Sequence, residues 1–152
     1  MALALDQTSK WFILNVVMDP PRVIPIAPFF NLVLGFNRGV SFGLFGDGGN
    51  TMPLVLIGLS LAMVVLLVVW LWRAGSAADV GAIGAIIGGA LGNVIDRGRD
   101  GAVTDFLDFY AGQYHWPAFN LADTAIVLGV GLIVTRALLG FDSAGANRSR
   151  RD

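Results

Sequence analysis

Residues 48–72 read GGNTMPLVLIGLSLAMVVLLVVWLW, 25 consecutive positions without a charge. About 20 apolar residues are enough to cross the hydrocarbon of a bilayer, so this stretch predicts a membrane helix over 51–73. Pro53 falls near its start, where a missing N–H costs nothing. Trp70 and Trp72 fall at its end, where amphipathic rings settle at the interface. On the C-terminal side, residues 80–95 form a second uncharged run, rich in Gly, Ala and Ile. Gly84, Gly88 and Gly92 recur every fourth residue and share one helix face, a spacing that lets membrane helices approach closely. This predicts a span over 79–96. A further apolar stretch over 119–140 is interrupted only by Asp123 and Arg136; the long Arg136 side chain can reach the interface. On the N-terminal side, residues 1–18 form a shorter candidate span. Eighteen helical residues extend about 27 Å, and Asp6 and Lys10, four apart, can pair on one face.

The remaining composition agrees. Charged residues make up 14% of the 152-residue chain, against roughly 25% in soluble domains, and mean hydropathy is +0.70. A net charge of −1 offers no attraction to polyanions, so no nucleic-acid partner is expected. The chain has no Cys, which removes disulfides, thiolate nucleophiles and thiolate metal sites. A single His cannot anchor a multi-His metal site, and neither metal nor cofactor is expected. All 11 acidic residues are Asp, so any carboxylate chemistry is aspartate chemistry.

The expected fold is a mainly α membrane protein: a four-helix transmembrane bundle with a small extracytoplasmic β-sheet cradle. Residues 1–141 form one membrane domain and 142–152 a flexible cytoplasmic tail. Segment 19–50, with Pro20, Pro21, Pro25 and Pro28 before alternating apolar residues, reads as short strands and turns. Segment 97–118 reads as a polar, aromatic loop on the same, extracytoplasmic side. Arg148, Arg150 and Arg151 put the tail in the cytoplasm. The N-terminus is not a secretory signal, because the order of charge and apolar run is wrong.

Polar groups at hydrocarbon depth are costly and therefore functional candidates. Three clusters lie near one end of the bundle. Asn93, Asp96 and Arg97 end the third span, with both charged residues placed to face Asn93; a helix end meeting headgroups would look the same. Asp96-Arg-Gly-Arg-Asp-Gly101 lacks the ligand spacing and closing Glu of a calcium loop. Asp105 and Asp108 flank Phe106 and Leu107, which alone reads as an interfacial turn with its carboxylates in water. Asn120 and Asp123 are spaced as the two halves of a capping box. Asp105 and Asp123, 18 residues apart across the outer hairpin, can meet at the bilayer edge. Two adjacent carboxylates share a proton, so one can take a proton from water while the other donates. A triad of Ser41, His115 and an Asp lacks the strand–turn–helix setting of a nucleophilic Ser.

At these residues the sequence resembles the lipoprotein signal peptidases, bacterial membrane aspartyl proteases. Asp6-Gln-Thr-Ser-Lys10 resembles the family's Asp-Gln-x-x-Lys. Asn37-Arg-Gly-Val-Ser-Phe42 resembles its Asn-x-Gly-Ala-Ala-Phe. Gly88-Gly-Ala-Leu-Gly-Asn-Val-Ile-Asp-Arg97 resembles its third-span signature. Val103-Thr-Asp-Phe106 and Phe119-Asn-Leu-Ala-Asp-Thr124 match its two aspartate segments. The resemblance implies an endopeptidase that removes the signal peptide from diacylglyceryl-modified prolipoproteins, cutting just before the lipidated cysteine. Asp105 and Asp123 would be its catalytic dyad. Asn37, Asn93, Arg97 and Asn120 would bind substrate, and Asp6, Lys10, Gly39, Gly89, Gly92 and Asp96 would support the site. It further implies a multi-pass protein of the bacterial inner membrane, its site near the extracytoplasmic face, working as a monomer among membrane lipid. Ser41, Thr104 and Thr124 stand where the family usually has Ala, Val and Ser. Only five residues precede Asp6, so either the native start lies upstream or the first helix is short. The competing reading is a non-enzymatic transporter half, assembly subunit or anchor, since intramembrane Asp and Arg also mark ion pathways.

Overall fold

The computed structural model describes residues 1–39 and 51–140. Ser41, the end of the expected β segment 19–50 and the expected tail 142–152 lie outside the described residues. Helix α1 (Ala2–Phe12) continues into a π-helical turn over Ile13–Val17. Strands β1 (Ile24–Ala27) and β2 (Phe30–Asn37) follow. Then come α2 (Thr51–Leu71), α3 (Ala77–Asp100), β3 (Val103–Ala111), β4 (Tyr114–His115) and α4 (Leu121–Leu138).

Among the described residues, α2, α3 and α4 are long and apolar enough to cross a membrane. α2 is apolar on all sides, with Leu54, Leu59, Val65 and Leu66 exposed. A helix without a polar face suits a lipid surround rather than water. α3 packs against both α2 and α4 around buried Leu67, Ile83 and Ile86. Its glycines make the approach possible. A Cβ on Gly89 would collide with the Ala122 carbonyl of α4, one on Gly92 with the Asp6 carboxylate of α1, and one on Gly88 would press on Ala2 and Leu3. Gly84, expected on the same close-packed face, has open space around it. The close approach on α3 is made by Gly88, Gly89 and Gly92, and on α4 by Gly129, where a Cβ would collide with the Ala82 carbonyl and Ile86 of α3.

α3 runs past its expected end at 96. Ser76 caps its start by accepting from Asp79 N–H, and Gly101 ends it in the left-handed region at φ 70°, a conformation that suits glycine. Asp96 and Arg97 therefore sit inside a helix, with a turn beyond them. At the other end of the bundle Arg136 donates to Asp79 (2.9 Å) and Ser76 (3.1 Å), tying α4 to the start of α3.

Segment 97–118, expected as a loop, supplies two strands. β1, β2, β3 and β4 form an antiparallel sheet in that order. β2 pairs with β3 through Asn31 opposite Asp108 and Gly35 opposite Asp105, with an irregularity between Leu32 and Gly35. One face packs Phe106 against Ile13 and Met18 of the first helix. The sheet thus rests on the end of the bundle, and β3 carries Asp105 to the junction.

Candidate active site

Asp105 and Asp123 arrive from different elements and converge on one residue, Asn120. Its Nδ2 donates to Asp105 Oδ1 at 2.7 Å. Its Oδ1 accepts from the Asp123 N–H at 3.0 Å, and its own N–H donates to Asp123 Oδ2 at 3.4 Å. The capping box expected from spacing is fully formed, and it is also the scaffold that holds the two carboxylates. The helix cap and the bridge between the two carboxylates are one arrangement. Thr124 Oγ1 adds a bond to the Asn120 carbonyl at 2.9 Å.

Asn93, from α3, completes the frame. Its Nδ2 donates to Asp123 Oδ1 at 2.8 Å, and its Oδ1 accepts from Lys10 Nζ at 3.2 Å and from Asn120 Nδ2 at 3.4 Å. Beneath lies an ionic cluster with almost no solvent access. Asp6 and Asp96 are fully buried and Lys10 nearly so. Lys10 Nζ lies 2.8 Å from both Asp6 Oδ2 and Asp96 Oδ2. The Asp6–Lys10 pair falls at the four-residue spacing read from sequence. Asp96 turns away from Asn93: it accepts from Gln7 Nε2 at 2.8 Å and from the Thr104 N–H at 3.2 Å. Of Arg97's groups, only Nη1 approaches Asn93, through its backbone carbonyl at 3.5 Å, and Nε is buried without a partner. Such an orphan donor is costly and is available to a ligand.

Asp105 is 4% exposed and its carboxyl is pushed up to about 6. Burial is the main cause. The charge of Asp123 adds to it, while hydrogen bonding from Asn120 and Asn37 and the charge of Lys10 pull back. This corrects the expected water-exposed turn at 105–108. Asp108 is also buried, on the opposite face of β3, where it accepts from Asn31 Nδ2 at 3.1 Å and meets His115 Nδ1 at 2.9 Å. His115 is thereby engaged with Asp108, and its ring stacks on Tyr110.

Two hollows flank residues 116–118. A polar cleft of about 720 Å³ is lined by Asn37, Arg38, Gly39, Leu56, Arg97 and Asp105. An apolar groove of about 450 Å³ runs from Asp123 along Val127 and Leu128 beside Trp116. Gly39 turns the chain out of β2 at φ 104°, where a side chain would strike Leu56. Gln7, Thr104 and residues 116–118 join the site beyond what motif spacing predicts. Gln7 offered a signal, lying inside the Asp6–Lys10 motif; the others depend on strand pairing. Among the described residues no group of three or more His, Cys, Asp or Glu is arranged to hold a metal ion.

The fold and this cluster define an α-helical membrane protein equipped as an aspartic hydrolase. Comparison with known proteins is specific. The family model described as signal peptidase (SPase) II matches residues 1–139. A lipoprotein signal peptidase of Methylorubrum extorquens is 50% identical over 136 residues, 87% of this chain and 78% of that protein. One from Beijerinckia indica is 43% identical over 138 residues, 90% and 83% respectively. A solved bacterial membrane enzyme, 27% identical, superposes with a TM-score of 0.77 over 94% of this chain and 86% of its own. The chain belongs to the signal peptidase II family, and its activity is that of an aspartic endopeptidase.

Proposed function

We propose that Asp105 and Asp123 are the catalytic dyad by which this chain removes signal peptides from diacylglyceryl-modified prolipoproteins, cutting just before the lipidated cysteine. The observation that carries this is the convergence of both carboxylates on Asn120, one on its side chain and one on its backbone N–H. Asp123 accepts two N–H donors at a helix N-terminus, a setting that favours the anion. Asp105, buried and pushed up to about 6, carries the shared proton. Water between the two loses a proton to Asp123 as its oxygen attacks the scissile carbonyl, and Asp105 protonates the carbonyl oxygen. Collapse of the tetrahedral intermediate breaks the C–N bond: the departing cysteine amine takes the proton held by Asp123, and a hydroxyl of the intermediate returns a proton to Asp105 as the carbonyl re-forms. Arg97, with its orphan Nε, and Asn37 line the cleft where substrate carbonyls would be held. Asn93 and Asn120 hold the carboxylates.

The setting is the extracytoplasmic face of the bacterial inner membrane, with the polypeptide in the polar cleft and lipid around the helices. The test uses purified protein in micelles with a diacylglyceryl prolipoprotein, reading release of the signal peptide by mass spectrometry. Asp105→Asn and Asp123→Asn should each abolish release in folded protein; normal processing by either refutes the dyad.

A further inference from the structure

Lys10 makes no contact with the carboxylates assigned to catalysis, yet three lines of bonding run from its ammonium to the immediate neighbourhood of both. Through Asp6, whose Oδ1 accepts the Ala122 N–H at 2.9 Å, it reaches the residue preceding Asp123. Through Asp96, whose Oδ2 accepts the Thr104 N–H at 3.2 Å, it reaches the residue preceding Asp105. Directly, it donates to Asn93 Oδ1 at 3.2 Å, and Asn93 Nδ2 donates to Asp123. An ammonium has only donors. It therefore dictates which end of the Asn93 amide faces it, and so which end faces Asp123.

We propose that Lys10 is the positioning residue of the dyad: its ammonium orients the Asn93 amide to donate to Asp123, and the two carboxylates it pairs with fix the backbone ahead of Asp105 and of Asp123. This rests on the dyad reading above. Without the ammonium the Asn93 oxygen keeps only its longer contact from Asn120 Nδ2 at 3.4 Å, so the amide that donates to Asp123 is held more weakly. Charged groups facing the dyad are Asp6 and Lys10 from α1, Asp96 and Arg97 from α3, and Arg38, after β2, in the cleft. Of these, Lys10 lowers the Asp105 value, so its loss moves the ionisation that limits activity to higher pH.

Lys10→Met alone leaves two buried carboxylates uncompensated, which can prevent folding. The decisive variant is Lys10→Met with Asp96→Asn. It keeps the cluster's native net charge, and an Asn carbonyl oxygen can still accept the Thr104 N–H. The assay is prolipoprotein cleavage by full-length protein in micelles, with kcat and KM taken across pH beside a melting curve. The double variant is expected to fold, to keep its KM within about twofold and to lose kcat by about a hundredfold, the cost of an ångström-scale misplacement. The alkaline limb of its kcat profile, set by the proton that Asp105 must carry, is expected to move upward. A folded double variant with native kcat and native pH profile overturns the proposal, and so does a double variant that cannot fold, since the hub is then purely structural. Asp105→Asn and Asp123→Asn run in parallel separate the two readings. If they remain active, the dyad itself fails; if they are dead while the double variant is native-like, only the role of Lys10 fails.

Discussion

Asp105→Asn should make the protein more stable while destroying its activity. The native carboxyl sits at about 6 instead of the ordinary 3.8, chiefly because burial penalises its charge. An acid whose folded value is raised binds its proton more tightly in the folded state. Folding stability is therefore full at low pH, declines as pH rises from about 4 to about 6, and stays reduced above that. The full difference corresponds to at most about 3 kcal/mol. The cleft beside Asp105 is open, and water screening reduces the figure to about 1–2 kcal/mol. Asn is neutral at every pH, and its carbonyl oxygen can still accept from Asn120 Nδ2. For a chain of this size each kcal/mol moves the melting temperature by about 2–4 °C, so the variant should melt roughly 3–6 °C higher at pH 7.5. Melting of purified protein in micelles, followed by intrinsic fluorescence from pH 7.5 to 4, measures this. The gap should close as the solution becomes acidic. An unchanged or lower melting temperature at pH 7.5, or a gap that persists at pH 4, would refute the link between burial and the raised value.

Two further substitutions test the supports of the site. Gly92→Ala drives a methyl into the Asp6 carboxylate and should cost about 1–3 kcal/mol and much of the activity, whereas Gly84→Ala, with open space around it, should be neutral or stabilising by up to about 1 kcal/mol. Equal melting temperatures for the two would contradict the packing described. Asn120→Ala removes the helix cap, at about 1 kcal/mol, and the hydrogen bond that holds Asp105 down, so the Asp105 carboxyl should rise above about 6. Infrared titration of isotope-labelled aspartate reads this, and an unmoved value would show that Asn120 is not its partner.

The sequence was legible wherever the information is local. Hydrocarbon thickness fixes how many apolar residues a span needs, so an uncharged run like 48–72 declares itself. Capping is equally local: Asn120 and Asp123 are three residues apart, and that spacing alone predicts the box. The four-residue step from Asp6 to Lys10 likewise places their charges together. Tertiary structure decided what depends on partners distant in the chain. Segment 97–118 reads as a loop until β2 is beside it, because the pairing of Asn31 with Asp108 spans 77 residues and leaves no periodic trace. The same pairing buries Asp105, and burial rather than residue type raises its proton affinity. Asp96 faces Asn93 by helical spacing, yet it turns to Lys10, Gln7 and Thr104, because a buried carboxylate goes where a cation and unpaired N–H groups await it. Spacing along one helix sets which side chains share a face; only the packing of other elements against that face sets which of them bond.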